Sequence, residues 1–293
     1  MRMLCVLRGS SLMNDPPAFP NAVVSGLVPI LKPSDWTSHD VVAYMRKTLE
    51  MDAKERQRRA AAAAADLPED GEAAAKIKIK RPKIKVGHGG TLDPMATGVL
   101  VVGVGTGTKM LGGLLSGSKG YSALGRLGFE TDTLDVTGET TLELPHDKVT
   151  YGAIEETLTA FRGDIMQVPP VYSALKKGGK RMADLARGGA KEEDLEIEPR
   201  QVTIHSLVLQ EADGGLPNFG LDIACGGGTY VRSLIRDIAR ATGSCASMTS
   251  LVRTRQGPFN LSDCIRHDSS AKEIYEKILE CQDVVEEYYS EKN

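Results

Sequence analysis

Asp93, Tyr230 and Arg232 are the side chains whose types and settings first suggest chemistry. Asp93 stands in GHGGTLDPMATGVLVVG, residues 87–103, between crowded glycines and a run of valines and leucine. Pro94 follows it and pushes its backbone away from helical geometry, toward an extended or turn conformation. A lone carboxylate is thereby held at the mouth of an apolar strand. Arg232, in TYVRS, falls in the first turn of a helix, where the dipole disfavours a cation. Chance could put it there, but an anionic neighbour would explain it better, and Asp93 is the candidate. An aspartate beside a guanidinium stays ionised even in a dry site. Such a carboxylate can act as a nucleophile or stabilise developing positive charge. Tyr230 could offer its phenol to the same pocket, or could pack in the core with its hydroxyl at the rim.

Two other motifs fall away on inspection. GVGTGTK, residues 103–109, lacks the G-x-G-x-x-G of a dinucleotide site and the Gly-Lys-Ser/Thr ending of a P-loop. DTLDVTG lacks the alternating oxygens and distal Glu of an EF-hand, and reads better as a solvated Asx-turn. The five cysteines lie far apart, with no C-x-x-C pair and no Cys/His cluster. That argues against a zinc site or a disulfide scaffold and for a reduced, intracellular setting. No apolar stretch approaches the length of a membrane span. The first twenty residues lack a secretory h-region. The net charge of −3 conceals an uneven spread, with five bases against one acid from Lys176 to Arg187 and seven acids against three lysines from Lys272 onward.

Elements must position these residues. Residues 1–24 read as a loose arm. A short strand and a Pro-containing turn lead to a helix with Ser38 as N-cap and Val41, Val42, Met45 and Leu49 on one face. Residues 51–85, with an Ala run and then KIKIKRPKIK, read as an inserted, partly helical and mobile segment. Its basic end is a solvated flank, an RNA contact or a nuclear-import signal. VLVVGVG predicts a buried strand, KGYSALGRLGFETDTLDVTGE a strand and hairpin loop, and residues 149–161 an amphipathic helix. VTIHSLVLQ and FGLDIACGGG predict strands. TYVRSLIRDIARATG predicts a helix closed by Gly243. One helix follows from Ala271, with Ile274, Ile278, Cys281 and Val285 on one stripe. Strands and helices mix without strict alternation, which favours an α+β fold with a largely antiparallel sheet.

Five blocks then carry a family resemblance: GHGGTLDPMATGVLVVGVG, KGYSALGRLGFETDTLDVTGE, FRGDIMQVPPVYSALKKGGKRM, ACGGGTYVRSLIRDIA and LVRTRQGPF. In order and spacing they resemble the TruB family of tRNA pseudouridine synthases, eukaryotic branch, from about Val24 to Phe259. The resemblance implies a pseudouridine-synthase fold with a catalytic domain over 25–268 and a thumb segment over 164–195; the acidic C-terminal helix over 269–293 departs from it, and the PUA domain of bacterial and archaeal members is expected to be missing. It implies isomerisation of uridine 55 in the tRNA T-loop, and of mRNA sites with a similar loop, with no metal or cofactor; the chain is expected to act as an intracellular monomer, in nucleus, cytoplasm or an organelle. An RNA chaperone without turnover is the alternative.

Residue by residue, Asp93 matches the catalytic aspartate. Tyr121 matches the tyrosine that stacks on the base and accepts a proton. Arg232 matches the arginine paired with the aspartate, and Tyr230 the tyrosine lining the pocket. His88 matches the histidine that holds the flipped-base RNA, Asp135 the acid on the uracil edge, Leu251 an apolar wall and Lys32 a structural lysine. Lys176, Lys177, Lys180, Arg181 and Arg187 match the cationic thumb. The glycine-rich loop would let backbone approach the nucleotide. Asp35 stands where the family carries Gly, so the local turn is expected to differ.

Overall fold

A computed structural model describes residues 24–68, 71–189, 195 and 197–291. Most of the expected N-terminal arm lies outside these. The strands are β1 (Gly26–Lys32), β2 (Val86–His88), β3 (Thr97–Val104), β4 (Lys119–Leu127), β5 (Phe129–Thr131), β6 (Thr140–Glu143) and β7 (Gly163–Gln167). After these come β8 (Lys176–Lys177), β9 (Lys180–Arg181), β10 (Arg200–Glu211), β11 (Asn218–Cys225), β12 (Ala246–Gln256), β13 (Phe259–Asn260) and β14 (Ile265–Arg266). The helices are α1 (Ser38–Ala64), α2 (Glu72–Ala75), α3 (Leu111–Ser116), α4 (Tyr151–Leu158), α5 (Met182–Arg187), α6 (Val231–Ala241), α7 (Ala271–Glu280) and α8 (Gln282–Ser290).

One sheet runs β14-β1-β3-β12-β4-β11-β10-β7, with β2 on β3 and β13 on β12. Only β1–β14 and β3–β12 pair in parallel, so the sheet is mixed and largely antiparallel, as the sequence predicts. β3 is buried on both faces, which is why its sequence is continuously apolar rather than alternating. Leu100, Val102 and Val104 meet the Val41–Leu49 face of α1 and Ile274 and Ile278 of α7. Val99 and Val101 point the other way, to Leu114, Phe259, Cys281 and Val285. Leu234, Ile235 and Ile238 of α6 pack over the third core, against Ala123, Phe219 and Leu221.

Three expectations are corrected. The cap of α1 is Thr37, not Ser38, in a reciprocal capping box with Asp40. The predicted C-terminal helix is two helices meeting at Cys281, because Ile274 and Ile278 serve the core on one face of β1 and β3 while Cys281 and Val285 serve the other. Asp35 takes the left-handed conformation, φ 64°, that a glycine supplies, so the turn follows a glycine-like path. Its amide donates to the Pro94 carbonyl at 2.9 Å.

Aspartate tolerates this conformation better than β-branched residues do. Asp35→Gly should therefore stay within about 0.5 kcal/mol of wild type in urea unfolding, while Asp35→Val should lose about 1–2 kcal/mol. Equal midpoints for the two variants would show that the turn imposes no such constraint.

Candidate active site

Asp93 follows β2 on a loop that has no ladder partner of its own, so its backbone carbonyls must find bonds elsewhere. Buried side chains supply them in succession. Gln256 Nε2 donates to the Gly89 carbonyl at 2.7 Å, and Arg253 reaches the Gly90 carbonyl at 3.2 Å and the Thr91 carbonyl at 3.4 Å. Ser38 Oγ accepts from the Leu92 amide at 2.9 Å and donates to the Leu92 carbonyl at 3.2 Å. Lys32 Nζ donates to the Pro94 carbonyl at 2.9 Å and also to the carbonyls of Pro33 and Trp36. The close approach that Gly89 permits is to protein: a Cβ there would stand 3.0 Å from Leu114 Cβ and 3.2 Å from Gln256 Nε2. Gly98 likewise lets β3 start against the Arg253 backbone, where a Cβ would lie 2.3 Å from its carbonyl oxygen.

Arg232 meets the loop from α6. Its Nε lies 2.8 Å from Asp93 Oδ2 and its Nη2 donates to Oδ1 at 3.1 Å, a forked charge-assisted pair. The remaining donors go to the Thr133 carbonyl at 2.7 Å and the Tyr172 carbonyl at 2.9 Å. The Arg232 side chain is 5% exposed and that of Asp93 28%, so the cation is sealed while the carboxylate can be reached. Asp135 Oδ2 lies 3.9 Å from Arg232 Nε. Its Oδ1 accepts from Thr133 Oγ1 at 2.8 Å and from the Thr137 amide at 3.0 Å; this is the expected Asx-turn, but buried against Arg232 rather than solvated. Leu134 beside it sits at φ 61°, a conformation costly for leucine, and this fixes the direction in which Asp135 enters the site.

Tyr121 in β4 is almost fully buried. Burial pushes its phenol above the ordinary tyrosine range, and the neighbouring Arg253 guanidinium opposes the shift. Burial also raises the Tyr230 phenol, opposed first by a hydrogen bond with Ser173. Tyr230 precedes α6, where its amide and carbonyl are both held by the Gln167 side chain. Leu251 is buried in the same core as Tyr121. His88 ends β2, its Nδ1 accepting from the Gly90 amide at 3.3 Å.

Lys176, Lys177 and Lys180 are exposed on the β8–β9 hairpin, whose Gly178 and Gly179 turn at φ 59° and 82°. Lys177 Nζ bonds the Leu195 carbonyl. Arg181 ends β9, and Arg187 ion-pairs with Asp184 at 3.4 Å. The root of this segment, Tyr172, is tied to Arg232. The structure thus brings Asp93 and Asp135 to one guanidinium, 2.8 and 3.9 Å from Arg232 Nε, with Tyr121 and Lys32 within electrostatic reach of Asp93.

Sequence reasoning missed Arg253, Gln256, Gln167 and the loop-holding role of Ser38. For Arg253 a signal existed: it shares strand parity with Leu251, so a residue two positions after an inward leucine also points inward. Among the described residues, no group of three or more His, Cys, Asp or Glu could hold a metal, and no helix is long and apolar enough to cross a membrane.

Residues 75–231 match the family model for the N-terminal domain of TruB family pseudouridylate synthases. The human pseudouridylate synthase TRUB1 is 54% identical over 187 residues, which cover 64% of this chain and 52% of that protein. This chain therefore aligns with about half the length of that relative. tRNA pseudouridine synthase B of Microcystis aeruginosa is 42% identical over 241 residues, 82% of this chain and 70% of that one. Among solved structures, a Cbf5-Nop10-Gar1 complex contains a chain 28% identical with a TM-score of 0.56, covering 90% of this chain and 58% of its own.

Two predictions follow from the geometry. Arg232→Ala strands the Asp93 carboxylate and two carbonyls, and should cost about 3 kcal/mol in urea unfolding. Asp93→Ala in the same background should then add less than it does alone, a coupling of about 1–3 kcal/mol. Strict additivity would mean that the pair does not act as a unit.

Burial also lowers the Lys32 ammonium to about 8, against 10.5 ordinarily, with Asp93 opposing the shift. Between those values the unfolded chain holds more protons than the folded one, so this group's contribution to stability rises with pH. The stability of wild type minus that of Lys32→Met should accordingly increase from pH 7.5 to 9.5. A flat or falling difference would contradict it.

Proposed function

Because the chain belongs to the TruB family of pseudouridylate synthases, we propose that it isomerises uridine 55 in the T-loop of tRNA to pseudouridine. The observation that carries this reading is the forked Asp93–Arg232 pair, with the carboxylate reachable and the guanidinium sealed. Isomerisation breaks the N-glycosidic bond and rejoins the ring to ribose through C5, with nothing gained or lost overall. The base must first leave the RNA stack, because enzymes acting on a base need it extruded. Asp93 then meets the everted uridine at C1′, at the ring or along a glycal route, all of which use an ionised oxygen held in fixed direction.

The other residues take roles that fit their settings. The Tyr121 ring forms the stacking wall. Its hydroxyl takes the proton released from C5, with the Arg253 guanidinium opposing the upward shift that burial imposes. Asp135, oriented by Thr133 and Thr137, faces the uracil edge, and Leu251 and Tyr230 close the pocket. His88 holds the flipped-base conformation of the RNA. The exposed lysines of the β8–β9 hairpin grip phosphates as the thumb. Folded single-stranded loops recognised by shape, stacking and phosphate contacts suit this arrangement, and mRNA hairpins of similar form extend the substrate range. The protein works as a monomer inside the cell, in nucleus, cytoplasm or an organelle.

Incubation with an unmodified tRNA transcript, followed by chemical mapping of pseudouridine, tests this reading. Wild type should modify the T-loop uridine. Asp93→Asn should bind the RNA with similar affinity and lose turnover by a factor on the order of 10⁴ or more. Equal turnover by the variant would remove Asp93 from its role, and binding without turnover by wild type would favour the chaperone reading.

A further inference from the structure

The proposed chemistry leaves one strongly charged stretch unused: KIKIKRPKIK, residues 76–85. It carries no helix or ladder between α2 and β2, and it is anchored to the body at its far end. Ile84 is buried in the core between α1 and the sheet, and its amide donates to Glu50 Oε1 at 3.2 Å. Arg81 ion-pairs with Glu50 at 3.1 Å and donates to the Lys47 carbonyl, while the Lys85 carbonyl accepts from Gly105 at 2.8 Å. Apolar and cationic residues alternate on either side of Arg81 and Pro82, so that Ile84 is buried, Ile77 and Ile79 are half-buried, and Lys76, Lys78, Lys80, Lys83 and Lys85 are exposed. Glu50 is committed to Arg81, and no acid among the described residues lies within ion-pair distance of these five lysines. Where the segment meets α1, an open groove of about 760 Å³ is lined by Arg46, Glu50, Arg81, Lys83, Lys85 and Thr108.

We propose that this strip is a track for the phosphate backbone of the RNA substrate, continuing outward from the catalytic loop. The proposal rests on the functional reading above and names a contact that the reading does not contain. Its position supports it: Lys85 lies three residues before His88, at most about 10 Å along the chain. Lys76 lies a further nine residues away, so the strip reaches at most about 30 Å beyond. That length exceeds a single flipped nucleotide and addresses RNA outside the modified loop. Alternate lysines on an extended chain recur every 6–7 Å or so, on the scale of successive phosphates along an extended strand. A receptor that reads a free linear peptide, as for nuclear import, would find the Ile84 amide and Lys85 carbonyl already bonded to the body. RNA backbone needs only the exposed ammonium groups.

The triple variant Lys78→Gln, Lys80→Gln, Lys83→Gln tests this, since all three side chains are exposed and the fold does not rest on them. Filter binding of an unmodified tRNA transcript is measured from about 50 to 200 mM salt, with steady-state turnover alongside. Losing three phosphate contacts should raise Kd roughly tenfold near 150 mM and flatten the slope of log K against log salt by about 2. The turnover loss should fall on KM rather than kcat. Lys80→Glu alone should weaken binding in the same direction. An unchanged salt slope would overturn the proposal, as would unchanged RNA affinity accompanied by loss of nuclear accumulation in cells. Failure of the enzymatic reading is separate, because it appears as absent pseudouridine with wild type while the binding slopes still report on the strip.

Discussion

A carboxylate that reacts must be ionised, nearly dry and still within reach of its substrate, and these demands conflict. Removing a charge from water costs several kcal/mol unless a partner and hydrogen bonds replace the solvent. Arg232 meets this demand for Asp93 from the side, forking onto both oxygens while leaving part of the carboxylate open. The guanidinium is itself in an unfavourable place, at the N-terminal turn of α6, and is compensated by the Thr133 and Tyr172 carbonyls as well as by Asp93. Three separate segments therefore converge on one side chain: the Asp93 loop, the β5–β6 loop carrying Asp135, and the root of the thumb. The pair organises the site as well as holding a charge.

The same logic extends beneath the loop. A segment with neither helix nor ladder would leave its carbonyls unpaired, and here those of Gly89 to Leu92 and of Pro94 are met by four side chains, Gln256, Arg253, Ser38 and Lys32. Two of these partners, Lys32 and Arg253, are cations with no exposure. Burial disfavours both charges, and carbonyls offset it together with Asp93 for Lys32 and the Tyr121 hydroxyl for Arg253. Arg253 also stands beside the Tyr121 hydroxyl, so one side chain couples the wall of the pocket to the position of the loop. A small error in this layer would displace Asp93 from the fork of Arg232.

This layer is also where the sequence is hardest to read. β3 and α6 are legible because their apolar residues follow the burial they undergo. β12, the central strand between β3 and β4, is not, since several of its buried positions are held by Ser247, Arg253 and Gln256. The polar residues that fix the Asp93 loop interrupt the periodicity that would identify the strand. Ser38 misleads for a related reason. A serine at a helix start looks like a cap, but Thr37 takes that task and frees the Ser38 hydroxyl to hold Leu92. The Asp93–Arg232 pairing was legible because an arginine at an adverse position points to an acid. Nothing in composition or spacing points to the carbonyl that each loop residue would offer.

Buried and exposed cations divide along the same physical line. Lys32, Arg232 and Arg253 sit where an unpaired charge would be prohibitive, so every one is committed to carbonyls or carboxylates and none can release its partners without unfolding its surroundings. The lysines of residues 76–85 are chemically similar but solvated, where leaving a charge unpaired costs almost nothing. Pairing them with acids would gain little stability and would neutralise the strip. Keeping them free preserves the counterion release that makes an RNA backbone bind. The molecule can therefore have a site fixed by saturated cations and a surface kept adhesive by unsaturated ones, with the short β2 strand joining the two.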